Sequence, residues 1–100
     1  MDTALINKIS TYLASQPVEK AWIFGSFARS EQDYNSDIDI LVRFNPNANI
    51  TLFKYVHIIN ELEKLTGKKV DLVEYGQLKP FAEKTAKTDK ILIYERKAQG

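Results

Sequence analysis

Residues 25–41 read GSFARSEQDYNSDIDIL, and this stretch decides the fold. A Gly25-Ser26 pair is followed by ten residues and then by Asp37-Ile38-Asp39 at the head of an apolar run. From Ser36 to Phe44 the run alternates, with Asp37, Asp39 and Leu41 on one side and Ile38, Ile40 and Val42 on the other, which is strand periodicity. Side chains at i and i+2 of a strand share a face, so the two carboxylates are expected side by side. Carboxylates so placed repel each other unless a cation separates them. Hard oxygen donors of this kind suit Mg²⁺, which binds through one or two carboxylates plus the phosphate oxygens of a substrate. The spacing therefore predicts a metal-dependent phosphate site. An isolated Asp-x-Asp at a strand entrance also fits a solvated turn whose carboxylates cap neighbouring N–H groups. Here the apolar Ile38-Ile40-Val42 face and the Gly-Ser element favour the site.

Outward from this stretch the hydrophobic period switches in order. Val18–Phe24 is short, apolar and rich in β formers, and it reads as a strand leaving the core at Gly25. Before it, Leu5, Ile6, Ile9, Tyr12 and Leu13 recur at helical spacing, with Asp2 or Thr3 as N-cap and Pro17 as the stop. After it, Asn45-Pro46-Asn47-Ala48-Asn49 is turn chemistry, and a long amphipathic helix is expected from Ile50 to Thr66, closed by Gly67. Its buried stripe is read as Leu52, Tyr55, Ile58, Ile59, Leu62 and Leu65, flanked by Val56, with Phe53 and His57 on the opposite side. Val70 to Val73 is a third strand in which Asp71 faces away from Val70 and Leu72. Pro80 opens a short helix through about Lys87, and Ile91 to Tyr94 forms the last strand.

This order predicts one α/β (α+β) domain over residues 1–100, a small mixed sheet with helices packed mainly on one face. The first two strands are joined by too short a segment for a parallel crossover, so they should run antiparallel. A third strand beside the second brings Asp71 towards Asp37 and Asp39 and leaves the carboxylate face open as a cleft.

Composition sets the remaining bounds. One hundred residues with 44% hydrophobic and 27% charged side chains suit one globular domain, with no room for a separate substrate domain. A net charge of +1 gives no general attraction to nucleic acid. The chain has no cysteine, which excludes disulfides and thiolate metal sites. No apolar run approaches the roughly 18 residues of a membrane span, and MDTALINKIS lacks the basic start of a signal peptide. A cytoplasmic location is the resulting expectation.

The Gly25-Ser26 pair, its spacer and Asp37-Ile38-Asp39 resemble the signature of the DNA polymerase β-like nucleotidyltransferase superfamily. GSFAR and SDIDILV in so short a chain are similar to the minimal nucleotidyltransferases (MNT), commonly encoded beside a HEPN-domain protein. The resemblance covers nearly the whole chain, because Asp71 falls where that family's third carboxylate is expected. It implies that Asp37, Asp39 and Asp71 hold two Mg²⁺ ions and carry the chemistry, with Asp71 helping to deprotonate the attacking hydroxyl. It implies that Gly25 and Ser26 receive the triphosphate of ATP; Arg29 is assigned to the nucleotide with them, with a partner contact or a solvated position as its alternatives. The implied reaction moves AMP to a hydroxyl of a partner protein, a HEPN protein modified on a tyrosine, with this chain as antitoxin. Ser30 departs from the glycine frequent there in the family. The alternatives are a module that blocks its partner without catalysis, and a nucleotidyltransferase acting on a small molecule such as an aminoglycoside within a complex. His57 reads as solvated, and Lys79, Lys84, Lys87 and Lys90 as a solvated face or as flanks of the nucleotide.

Overall fold

A computed structural model describes residues 3–25, 37–75 and 90–96. The elements are α1 (Thr3–Ala14), β1 (Val18–Phe24), β2 (Ile38–Phe44), α2 (Leu52–Thr66), β3 (Val70–Glu74) and β4 (Ile91–Glu95). The helix expected from Pro80 to Lys87 lies outside the described residues.

The four strands form one mixed sheet in the order β3-β2-β1-β4. β1 pairs antiparallel with β2 and with β4, while β2 and β3 run parallel, joined by the crossover through α2. The crossover helix is fixed at both ends by its own sequence. The Thr51 hydroxyl accepts a hydrogen bond from the Lys54 N–H at 3.1 Å, and Gly67 ends the helix at φ 69°, its N–H donating to the Glu63 carbonyl at 2.8 Å. The cap at Thr51 is why the helix starts at Leu52 and not at Ile50. Upstream, the Asn45 side-chain oxygen accepts from the Asn47 N–H at 2.9 Å, a local bond that turns the chain out of β2.

The core lies on one face of the sheet. Ile9 and Leu13 of α1 and Ile58 and Leu62 of α2 pack in one cluster with Val18, Ala21, Ile23, Ile38, Ile40, Val42, Val70 and Leu72. Truncating a fully buried member such as Ile58 or Leu62 to alanine should cost about 2–5 kcal/mol. The helix stripe is narrower than the sequence pattern suggests. Leu52, in the first turn, is 75% exposed, and Leu65, in the last, is at the margin of exposure, so packing is confined to the middle of α2. Phe53 and His57 are exposed as expected. Among the described residues no helix is long and apolar enough to cross a membrane.

β2 separates the two faces of the sheet. Ile38, Ile40 and Val42 point into the core, and Asp39 and Leu41 take the other face. Leu41 is nevertheless only 1% exposed. It stands in register with Trp22 of β1 on one side and Val73 of β3 on the other. Among the described residues this face is solvent-accessible at the Asp39 end of the strand and apolar one row further along, at Leu41.

Candidate active site

Three chain segments meet at the open end of that face. Phe24, the last residue of β1, pairs with Asp39, and Asp39 pairs with Asp71 across the parallel β2/β3 ladder. Register partners on adjacent strands direct their side chains to the same face about 5 Å apart, so Asp39 and Asp71 stand side by side. Val70 and Leu72, which flank Asp71, are buried at 5% and 4%, and strand alternation turns Asp71 outward.

Gly25 closes the third side. Its φ of 75° lies in the left-handed region, and a Cβ placed there would sit 2.3 Å from Asp39 Oδ2. No side chain larger than hydrogen fits, for reasons of both conformation and space. The turn out of β1 is therefore seated directly on the Asp39 carboxylate. This is a tertiary reason for glycine, in addition to the phosphate approach read from the sequence.

Asp37 is exposed and lies just ahead of Ile38, the first residue of β2. Among the described residues no group of three or more His, Cys, Asp or Glu side chains is gathered closely enough to hold a metal ion. The fold brings Asp39 and Asp71 together and leaves Asp37 at the mouth of the strand. The donor set is all carboxylate oxygen, hard and anionic, and a pair of such groups with an open side suits a Mg²⁺ ion that completes its shell with phosphate oxygens and water. Ser26 and Arg29, expected at the nucleotide, lie outside the described residues.

The row behind the carboxylates carries Trp22 and Tyr75, to which motif reading gave no role, and Lys90, which it read as part of a solvated face or a flank of the nucleotide. Trp22 and Tyr75 stack at 5.4 Å between ring centroids, tilted by 31°, and the Lys90 ammonium lies 4.8 Å from the Trp22 ring and 5.5 Å from that of Tyr75. The signal for Trp22 was present, because it shares a face with Phe24 by alternation. Tyr75 and Lys90 join it only through the sheet order. A cavity of about 510 Å³, lined by Phe44, Pro46, Ile50, Leu52, Tyr55 and Glu74, opens at the other end of β2, away from Asp39 and Asp71.

One helix residue feels the site's charge. Burial pushes the Tyr55 phenol above its ordinary value of 10.0, and the negative charges of Asp71 and Glu74 push it further the same way. It remains a protonated hydrogen-bond donor at neutral pH.

Comparison with known proteins gives the chain's relatives. The family model described as Polymerase beta, Nucleotidyltransferase matches residues 7–99. A Methanocaldococcus jannaschii protein provisionally named as a protein adenylyltransferase is 44% identical over 74 residues, covering 74% of this chain and 77% of that protein. Protein adenylyltransferase MntA of Thermococcus cleftensis is 36% identical over 76 residues, covering 76% of this chain and 75% of its own length. Two solved structures share the fold at lower identity. A toxin-antitoxin crystal structure with AMP-PNP superposes with a TM-score of 0.77 at 22% identity, covering 91% of this chain and 73% of that one. A Shewanella oneidensis tri-AMPylated HEPN toxin in complex with MNT antitoxin gives 0.73 at 19% identity, covering 96% and 74%.

Proposed function

The chain belongs to the polymerase beta nucleotidyltransferase family, and from that premise we propose that it transfers AMP from ATP to a tyrosine hydroxyl of a HEPN-domain partner, acting as the antitoxin of the pair. The observation that carries the reading is the register pairing of Asp39 with Asp71 on an open sheet face, with Gly25 seated against Asp39. The names of the relatives point to adenylyl transfer, and the AMP-PNP complex of a structural neighbour supports ATP as the donor.

In the proposed reaction the acceptor oxygen bonds to the α-phosphorus of ATP. The bond from that phosphorus to the bridging oxygen breaks, and pyrophosphate leaves with the electron pair. Asp71 takes the proton of the acceptor hydroxyl. Asp39 and Asp71 would hold Mg²⁺, with Asp37 proposed to join them when the nucleotide binds, and the metal would supply charge neutralisation for the triphosphate. The Gly25 turn admits the backbone close to the phosphates, and Ser26 and Arg29 are proposed to donate to them. Selection of the acceptor is assigned in this reading to the partner.

The test uses the full chain, Mg²⁺, a HEPN-domain partner, and ATP labelled at either the α or the γ phosphate. Label should reach the partner from the α position alone and disappear with Asp39→Asn. Label from the γ position would make the reaction phosphoryl transfer. Neutralisation of the partner that survives Asp39→Asn, with no label, would make the chain a steric inhibitor. Label found only on an added aminoglycoside would replace the protein acceptor with a small molecule.

A further inference from the structure

Among the described residues β3 is an edge strand, yet it carries Asp71. In the parallel ladder Ile38 N–H donates to the Lys69 carbonyl at 2.9 Å and Tyr75 N–H donates to the Val42 carbonyl at 2.7 Å. Residues 69 and 75, and by alternation 71 and 73, turn their backbone groups towards β2. Val70 and Leu72, on either side of Asp71, turn theirs to the free edge. An unpaired edge is the part of a sheet with least to hold it in place.

Two of these four outward groups, the Val70 N–H and the Leu72 carbonyl, are taken up by side chains of α2. Glu63 Oε2 accepts from the Val70 N–H at 3.0 Å, and the Tyr55 hydroxyl donates to the Leu72 carbonyl. The two partners lie eight residues apart in α2, which places them about two turns from each other along the helix. Tyr55 is itself held edge-to-face against Phe44, the last residue of β2, at 6.4 Å between centroids. The backbone on both sides of Asp71 is thus clamped by one helix, and that helix is capped at both ends by Thr51 and Gly67.

We propose that Tyr55 and Glu63 are positioning residues for the reaction: together they fix the β3 backbone around Asp71, so that its carboxylate is held beside Asp39. Neither need touch substrate. This inference rests on the adenylyl-transfer reading of Asp71, and it adds two residues that no motif identifies. A displacement on the order of 1 Å in a group of this kind costs about 10²-fold in rate.

The experiment compares Tyr55→Phe, Glu63→Leu, their double variant, Glu63→Gln and Asp71→Asn as full chains, below the melting temperature of each. Two readouts are taken: kcat for label transfer from α-labelled ATP to the HEPN-domain partner, and amide hydrogen exchange of Val70. Glu63→Leu should speed Val70 exchange by about tenfold or more. Glu63→Gln keeps an oxygen acceptor and should retain both slow exchange and near-native kcat. The double variant should lose about 10²-fold in kcat with a smaller change in the KM for ATP. A double variant with native kcat beside an inactive Asp71→Asn would overturn the clamp. So would unchanged Val70 exchange in Glu63→Leu, or a Glu63→Gln variant as impaired as Glu63→Leu. Native kcat in Asp71→Asn would instead overturn the reading of Asp71 on which the clamp depends.

Discussion

The two edges of the sheet are secured in different ways. At the β3 edge, α2 side chains bond the backbone on both sides of Asp71. At the β4 edge, the ties gather at the end of the strand. Lys20 and Glu95 pair at 3.0 Å with both side chains substantially exposed, and the Arg96 guanidinium donates to the carbonyls of Ala14, Gln16 and Val18 at 3.0–3.2 Å. Those three carbonyls lie where α1 ends and β1 begins, so Arg96 anchors the returning chain to the start of the fold. One edge positions a carboxylate and the other attaches a strand. Changes near the first should therefore appear in rate, and changes at the second in stability.

Gly25→Ala puts the first half of this contrast under the greatest strain. A Cβ at 2.3 Å from Asp39 Oδ2, on a residue at φ 75°, must displace the carboxylate or the turn. We expect transfer to fall by about 10²-fold and stability by about 1–3 kcal/mol, measured by label transfer and denaturant unfolding. Native activity in a folded Gly25→Ala chain would show that the Asp39 position is not critical.

Arg96→Ala tests the other edge. It should lower unfolding free energy by about 1–2 kcal/mol, within the range for charged hydrogen bonds to carbonyls, and leave kcat unchanged below the melting temperature. Lys20→Ala should do less, below about 1 kcal/mol, because both partners of that ion pair are well exposed to solvent. A loss of kcat in either variant would erase the distinction between the edges.

An alkaline titration separates the edges more finely. The Tyr55 phenol binds its proton more tightly in the folded chain than in the unfolded one. Its contribution is therefore fully present below the unfolded value of 10.0 and is lost as pH rises through the folded value. Thermal stability should decline over that window in the native chain and decline less in Tyr55→Phe. Arg96→Ala, at the other edge, should leave that decline unchanged.

Much of this architecture was legible in the residues themselves. Alternation along β2 and β3 gave the outward direction of Asp39 and Asp71, and the short link after β1 gave the antiparallel pairing that puts β3 beside β2. What periodicity could not carry were contacts made between elements. The approach of Gly25 to Asp39 depends on where β1 ends against β2. The burial of Leu41 on the outer face is likewise set by tertiary packing and not by alternation. Leu52 fits the helical stripe by number, yet it sits in a first turn that the sheet does not reach, and it is 75% exposed. Glu63 looks like one more polar helix residue until the edge of β3 is in place. Motif reading finds groups that touch substrate, and it passes over groups that hold the first set still.

The central claim is that Asp39 and Asp71, register partners on neighbouring strands, act as one unit in AMP transfer. Its most direct test is a double-mutant cycle on kcat for label transfer from α-labelled ATP to the HEPN-domain partner, with Asp39→Asn, Asp71→Asn and the double variant. Residues that act as a unit are strongly non-additive. Each single substitution should lower kcat by about 10²- to 10³-fold, the scale of losing one transition-state electrostatic contact, and the double variant should be little worse than either. Losses that multiply in the double variant, or a single variant with native kcat, would contradict the account.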